Sequence, residues 1–240
     1  MIFRKSSSAI RVFALSGFLV ALAGCNDTVE VGNLPEPPPP PPPPVTYSYE
    51  VTVTNLTQAQ PLSPIAVMLH GEESFFTLGE PASEAIEIMA EGGDPSELLG
   101  LDIVLESTNG TGPVTPGETQ TFTVSIEDND SANLAVLTML ASTNDAFSGF
   151  QGLSLAGMEV GDVQYRLTNV YDSGTEANTE EAATLVTMMG EGFNAERDDV
   201  DFVAMHPGVV GNQDGLPNSA LTGAHRFDNP AIKITVTRTE

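Results

Sequence analysis

Two stretches of the chain gather the oxygen-bearing side chains that a hard cation needs. One is Thr143-Asn144-Asp145-Ala146-Phe147-Ser148-Gly149; the other is Tyr171-Asp172-Ser173-Gly174-Thr175-Glu176-Ala177-Asn178. Calcium takes about six to eight oxygens, drawn from carboxylates, backbone carbonyls and water. Each stretch directly follows a predicted strand, the apolar Leu134–Leu140 and Val163–Val170, and so reads as a loop at a strand end. Gly149 and Gly174 would let the backbone turn its carbonyls inward. Neither stretch has the ligand spacing of an EF-hand. On residue types alone, a calcium site and a pair of solvated acidic turns remain equally open.

Other constellations carry less chemistry. Asp128-Asn129-Asp130-Ser131 lies between two predicted strands and reads as a hairpin turn. Asp198, Asp199 and Asp201 could extend a cation site, but such a run is more simply a solvated acidic surface. His70, His206 and His225 are scattered without the spacing of a zinc helix, and each reads as a hydrogen-bonded loop or strand-end residue. Ser154 lacks the second glycine of a nucleophile elbow. No phosphate-binding glycine loop and no distinct acid/base pair is legible, so catalysis is not expected. Met139, Met188 and Met189 read as packing residues.

The elements that would hold these loops are mostly strands. Tyr47, Tyr49, Val51 and Val53 alternate with polar residues, as do Phe122, Val124 and Ile126, and Ile232, Ile234 and Val236. Ile65–Leu69, Ile103–Glu106, Leu134–Leu140 and Val163–Val170 are further strand candidates, separated by turns such as Asn109-Gly110 and Thr115-Pro116-Gly117. Ser83 can cap a short helix over Glu84–Glu91. Asp94-Pro95-Ser96-Glu97 predicts a second short helix reaching about Leu101. The stretch Ser173–Asp201 reads as a long polar loop despite the apolar Leu185–Met189. Together these predict a mainly β fold, an antiparallel β-sandwich with a short helical insertion and the acidic loops at one end.

Charge limits the partners. The 240 residues carry 33 acidic and 8 basic side chains, a net charge of −25, so the surface cannot neutralise nucleic-acid phosphates. Hydrophobic residues make up 40% of the chain, enough to argue against disorder over most of its length. Arg4, Lys5 and Arg11 precede the uncharged stretch Val12–Ala23, which is too short to span a bilayer and has the layout of a secretory signal. It ends in Leu22-Ala23-Gly24-Cys25, which resembles the lipobox of bacterial lipoprotein precursors. That resemblance implies cleavage after residue 24 and lipidation of Cys25, the only cysteine. By the same resemblance, Asn26 after it favours outer-membrane sorting within a cell-envelope location, with periplasmic or exterior facing left open. Removal of residues 1–24 would leave 33 acids against five bases, a net charge of −28. The chain then divides into a signal peptide (1–24), a lipidated cysteine with a proline-rich linker (25–45) and a folded domain (46–240). Pro37 to Pro44 form an unbroken polyproline spacer within that linker.

Several motifs, in order, resemble the spondin N-terminal domain, especially its bacterial lipoprotein-borne members. They are Tyr49-Glu50-Val51-Thr52-Val53-Thr54-Asn55-Leu56-Thr57, Pro61-Leu62-Ser63-Pro64, the two acidic stretches, His206-Pro207-Gly208 and Asn229-Pro230-Ala231-Ile232-Lys233-Ile234. The resemblance implies a β-sandwich like calcium-dependent membrane-binding modules, with calcium held by loops at one end. It places calcium ligands on Asp145, Asp172 and Glu176; animal members carry Asp where this chain has Glu176. A Glu is one methylene longer and still binds calcium through one or both oxygens. The expected function is a calcium-binding adhesion or ligand-binding module, tied to a membrane through Cys25 and facing an unknown protein or glycan. A metal-free structural envelope protein is the alternative, and a hydrolase using calcium or His206 a more distant one.

Overall fold

The computed structural model describes residues 38–240; the expected signal segment, Cys25 and the linker as far as residue 37 lie outside the described residues. Residues 38–45 are exposed and outside regular secondary structure, and Pro43–Glu240 forms one compact unit. Its strands are β1 (Thr46–Asn55), β2 (Ala66–His70), β3 (Val104–Asn109), β4 (Thr119–Glu127), β5 (Asn133–Met139), β6 (Ala146–Ser154), β7 (Val163–Thr168), β8 (Val170–Asp172), β9 (Ala204–Met205) and β10 (Ile232–Arg238). Two helices, α1 (Glu84–Gly92) and α2 (Ser96–Leu99), lie between β2 and β3. Strands β4-β1-β10-β7 make one antiparallel sheet and β3-β2-β5-β6-β8-β9 a second. The fold is therefore the mainly β sandwich with a short helical insertion that the alternation predicts.

Period-two burial builds the interior between the sheets. Tyr49, Val51 and Val53 of β1 are buried beside Phe122 and Val124 of β4 and beside Ile234 and Val236 of β10. They belong to one apolar cluster with Val67, Leu134, Val136 and Val170 of the other sheet. The opposite face of the six-stranded sheet is covered too. Met68, Leu137, Met139 and Phe147 pack with Ile86, Met89 and Leu98 of the helices, which makes a third layer. Strand β2 is buried along its whole length because it is central and covered on both sides.

The helix ends follow local chemistry. Ser83 Oγ accepts the Ile86 N–H, and Gly93, in the left-handed region, donates its N–H to the Met89 carbonyl. Asp94 Oδ1 accepts the Ser96 N–H at 2.9 Å, but α2 stops at Leu99 rather than Leu101. Leu101 and Ile103 are used instead to pack against the helix-side core as the chain enters β3.

Three expectations are corrected. The run Val163–Val170 is two strands in different sheets, not one. Asn229 Oδ1 takes the Val170 N–H at 2.8 Å, and Ser148 Oγ bonds Thr168 Oγ1 at 2.8 Å, so the chain leaves β10 and joins β6. Ala146–Gly149 is not loop but the start of β6. A Cβ on Gly149 would lie 1.8 Å from the Val136 carbonyl oxygen, so this glycine permits the close approach of β5 and β6 rather than a cation loop. The Asp128–Ser131 turn does not close a hairpin; it crosses from β4 in one sheet to β5 in the other. As expected, Ser173–Asp201 has little regular structure, only a short 3-10 turn at Val186–Met188, with Leu185 buried. No helix among the described residues is long and apolar enough to cross a membrane.

Candidate metal centre

Sheet pairing brings the first two acids together. Asp145 immediately precedes β6, Asp172 ends β8, and Ala146 pairs with Asp172 in the ladder between them. Both are buried. A third carboxylate arrives from the acidic run: Asp145, Asp172 and the exposed Asp199 each offer an oxygen, and the three oxygens lie within 4.8 Å of one another. Of the three acids in that run, Asp199 is the one whose carboxylate reaches the pair. It is exposed, yet aimed at two buried carboxylates.

Each carboxylate is held by donors that fix its orientation. Asp145 Oδ2 accepts from Ser173 Oγ at 2.8 Å, Thr175 N–H at 3.0 Å and Glu176 N–H at 3.2 Å. Its other oxygen, Oδ1, is buried without any hydrogen-bond partner. A buried acceptor left unpaired is costly unless a proton or cation meets it. Asp172 Oδ1 accepts the Gly174 N–H at 2.9 Å, and its Oδ2 accepts Asn178 Nδ2 at 2.7 Å. Behind Asn178 stands buried His206. Gly208 N–H donates to His206 Nδ1 at 2.9 Å, so Nε2 carries the proton and gives it to Asn178 Oδ1 at 3.0 Å. His206 Nε2 is 3.9 Å from Asp172 Oδ2, so the ring supports the site instead of supplying a ligand. Burial lowers its pKa and keeps it neutral.

The segment bearing Asp199 is sewn to the 173–177 turn. Asp198 N–H donates to the Thr175 carbonyl, Ala177 N–H to Asp198 Oδ1, and Asp201 N–H to the Gly174 carbonyl. Arg197 clamps the same segment to α1, donating to Glu87 Oε2, to the Ala82 carbonyl and to Asp201 Oδ1. Arg197 is the only basic residue between Ser173 and Asp201. A single base in so acidic a run is the one sequence signal that marks this segment as anchored.

Glu176 lies next to the group but not in it. Its Oε1 accepts from Asn144 Nδ2 at 3.3 Å, while Oε2 is buried without a partner. Burial pushes the Asp145 carboxyl up to about 7, with the Asp172 charge adding to the effect. Burial likewise raises Glu176 to about 8, opposed by the Asn144 hydrogen bond. Asp199 is raised by partial burial and by Asp172. Three carboxylates whose oxygens converge in this way form a cluster able to hold a metal ion.

An open cavity of about 310 Å³ adjoins the group, lined by Asp172 and Asp199 together with the apolar Val200, Phe202 and Met205. The remaining histidines are structural: His70 Nε2 accepts the Gly152 N–H, and His225 closes a capping box with Thr222. Comparison of the chain with protein-family models gives no match, and comparison with curated proteins gives no significant relative.

Proposed function

We propose that the protein is a calcium-binding module of the spondin type, held at the cell envelope by a lipid on Cys25, and that it serves adhesion or ligand binding. The observation that carries the calcium reading is the convergence of one carboxylate oxygen each from Asp145, Asp172 and Asp199 within 4.8 Å, at a residue, Asp145, whose Oδ1 is buried without a hydrogen-bond partner. All the donors are oxygens, the preference of calcium over zinc or copper. Irregular loops and an exposed third carboxylate suit its variable coordination number, with carbonyls and water completing the shell. Glu176, with Oε2 unpaired beside the group, is retained as an additional donor. A divalent ion relieves the repulsion among these acids and ties β6, β8 and the 198–201 segment together. The cavity beside it offers a ligand both cation-bound oxygen chemistry and an apolar wall.

Thermal unfolding with calcium and with chelator tests the reading. At free calcium about a hundred times its Kd, one bound ion contributes about 2.7 kcal/mol, or about 5 to 10 °C in a domain of this size. Asp172→Ala is expected to abolish most of the difference between the two conditions. Superimposable curves in the unmodified protein would reject the proposal.

A further inference from the structure

Strand β7 is an outer strand of its sheet, and the side facing away from β10 has no strand partner. Its outward positions Val163, Tyr165 and Leu167 are 60%, 61% and 53% exposed, an unbroken apolar row on a strand without proline. Edge strands of this kind are normally blunted by charge, proline or a covering segment. The rest of that sheet face is poor in charge, with Thr52, Thr54, Thr121, Thr123, Thr235 and Thr237 between Glu50, Glu127 and Lys233. On a molecule with 33 acids, such a face is where two copies approach with the least repulsion.

Backbone and side-chain order around β7 are self-complementary. The Arg238 N–H bonds the Asp162 carbonyl, so by antiparallel alternation the N–H and C=O groups of Val163, Tyr165 and Leu167 point to the free side. The outward Tyr165 carbonyl is met only by the Arg166 guanidinium of its own chain, at 2.9 Å. Among the described residues Arg166 has no ion-pair partner, whereas Arg197 and Arg226 do. Asp162 and Arg166 sit two residues to either side of Gln164, and both are exposed. Antiparallel pairing of two β7 strands about Gln164 therefore sets Arg166 of each copy opposite Asp162 of the other. It also sets Val163 opposite Tyr165, with their outward backbone groups in bonding register.

We propose that the protein forms a twofold dimer by antiparallel pairing of β7 with β7 of a second copy, joining the two four-stranded sheets into one. The cross-strand pairs Arg166–Asp162 fix the register, and Val163, Tyr165 and Leu167 supply the apolar contact. The inference rests on the fold alone and is independent of the cation site.

Sedimentation equilibrium of the intact protein tests it, with thermal unfolding as a check that each variant is folded. The unmodified protein is expected to show a concentration-dependent dimer. Arg166→Asp and Asp162→Arg each replace two attractive pairs with two repulsive ones and should weaken association by about tenfold or more. The double variant restores opposite charges across the twofold axis and should recover the dimer. A monomer at every concentration overturns the proposal and leaves the β7 edge to another occupant. A dimer indifferent to both single substitutions, or a double variant no better than the singles, overturns it equally.

Discussion

Asp145 serves two demands through its two oxygens. Oδ2 gathers three donors from the Ser173–Glu176 turn and so helps fold the loop; Oδ1 is left buried with no partner. The unpaired atom is tolerable when a proton or a cation occupies it, and burial, by raising the pKa values, favours the proton when no cation is bound. Asp145, at about 7, and Glu176, at about 8, bind protons more tightly in the folded protein than in the unfolded chain. Without cation, the stability they contribute is complete below their ordinary carboxylate range and is lost as pH rises through these raised values. The melting temperature of chelated protein should therefore fall from about pH 5 to about pH 8, and Glu176→Gln should flatten part of the fall. On the proposed function calcium would replace the protons, so its stabilisation should grow over the same interval. A chelated melting temperature that is constant or rises with pH would contradict this assignment of the buried acids.

At the scale of elements, the site depends on how closely the 173–176 turn approaches the 198–202 segment. Gly174 has φ +71°, and a Cβ there would lie 2.3 Å from the Phe202 carbonyl oxygen. Gly174→Ala should destabilise the protein by about 1 to 3 kcal/mol and weaken calcium binding by displacing Asp199; unfolding and binding measured on the same preparation check both. Unchanged stability would show that the two segments are not packed as described. Sequence alternation identified the strands whose two faces differ, such as β1, β4 and β10, because period-two burial is written directly in residue type. It merged β7 with β8, because the residue types along Val163–Val170 do not show where Asn229 captures the Val170 N–H and moves the chain to the other sheet. Asp145 and Asp172 were recognisable as paired acidic loops at strand ends. Asp199 was legible only as one of three acids that could extend such a site, because its place depends on contacts with remote partners, the Thr175 and Gly174 carbonyls and Glu87 through Arg197. Local sequence holds only the Asp run and the lone arginine.

At the scale of the whole molecule, the excess of acid separates into distinct roles. A few carboxylates are buried and structural, such as Glu180, whose oxygens accept from Val210 N–H, Gly211 N–H and Ser219 Oγ and so tie down the long loop before β9. Three converge on the candidate cation site, one side of the sheet with β7 at its edge is left nearly uncharged, and many of the rest are exposed. A cation bound among the three joins segments far apart in sequence, so its effect reaches global stability rather than one loop. Calorimetric titration of the metal-free protein with calcium tests this most directly. The account predicts saturable binding that Asp172→Asn abolishes and Asp199→Asn weakens, whereas the absence of binding heat across a range of temperatures, or binding untouched by both substitutions, would contradict it.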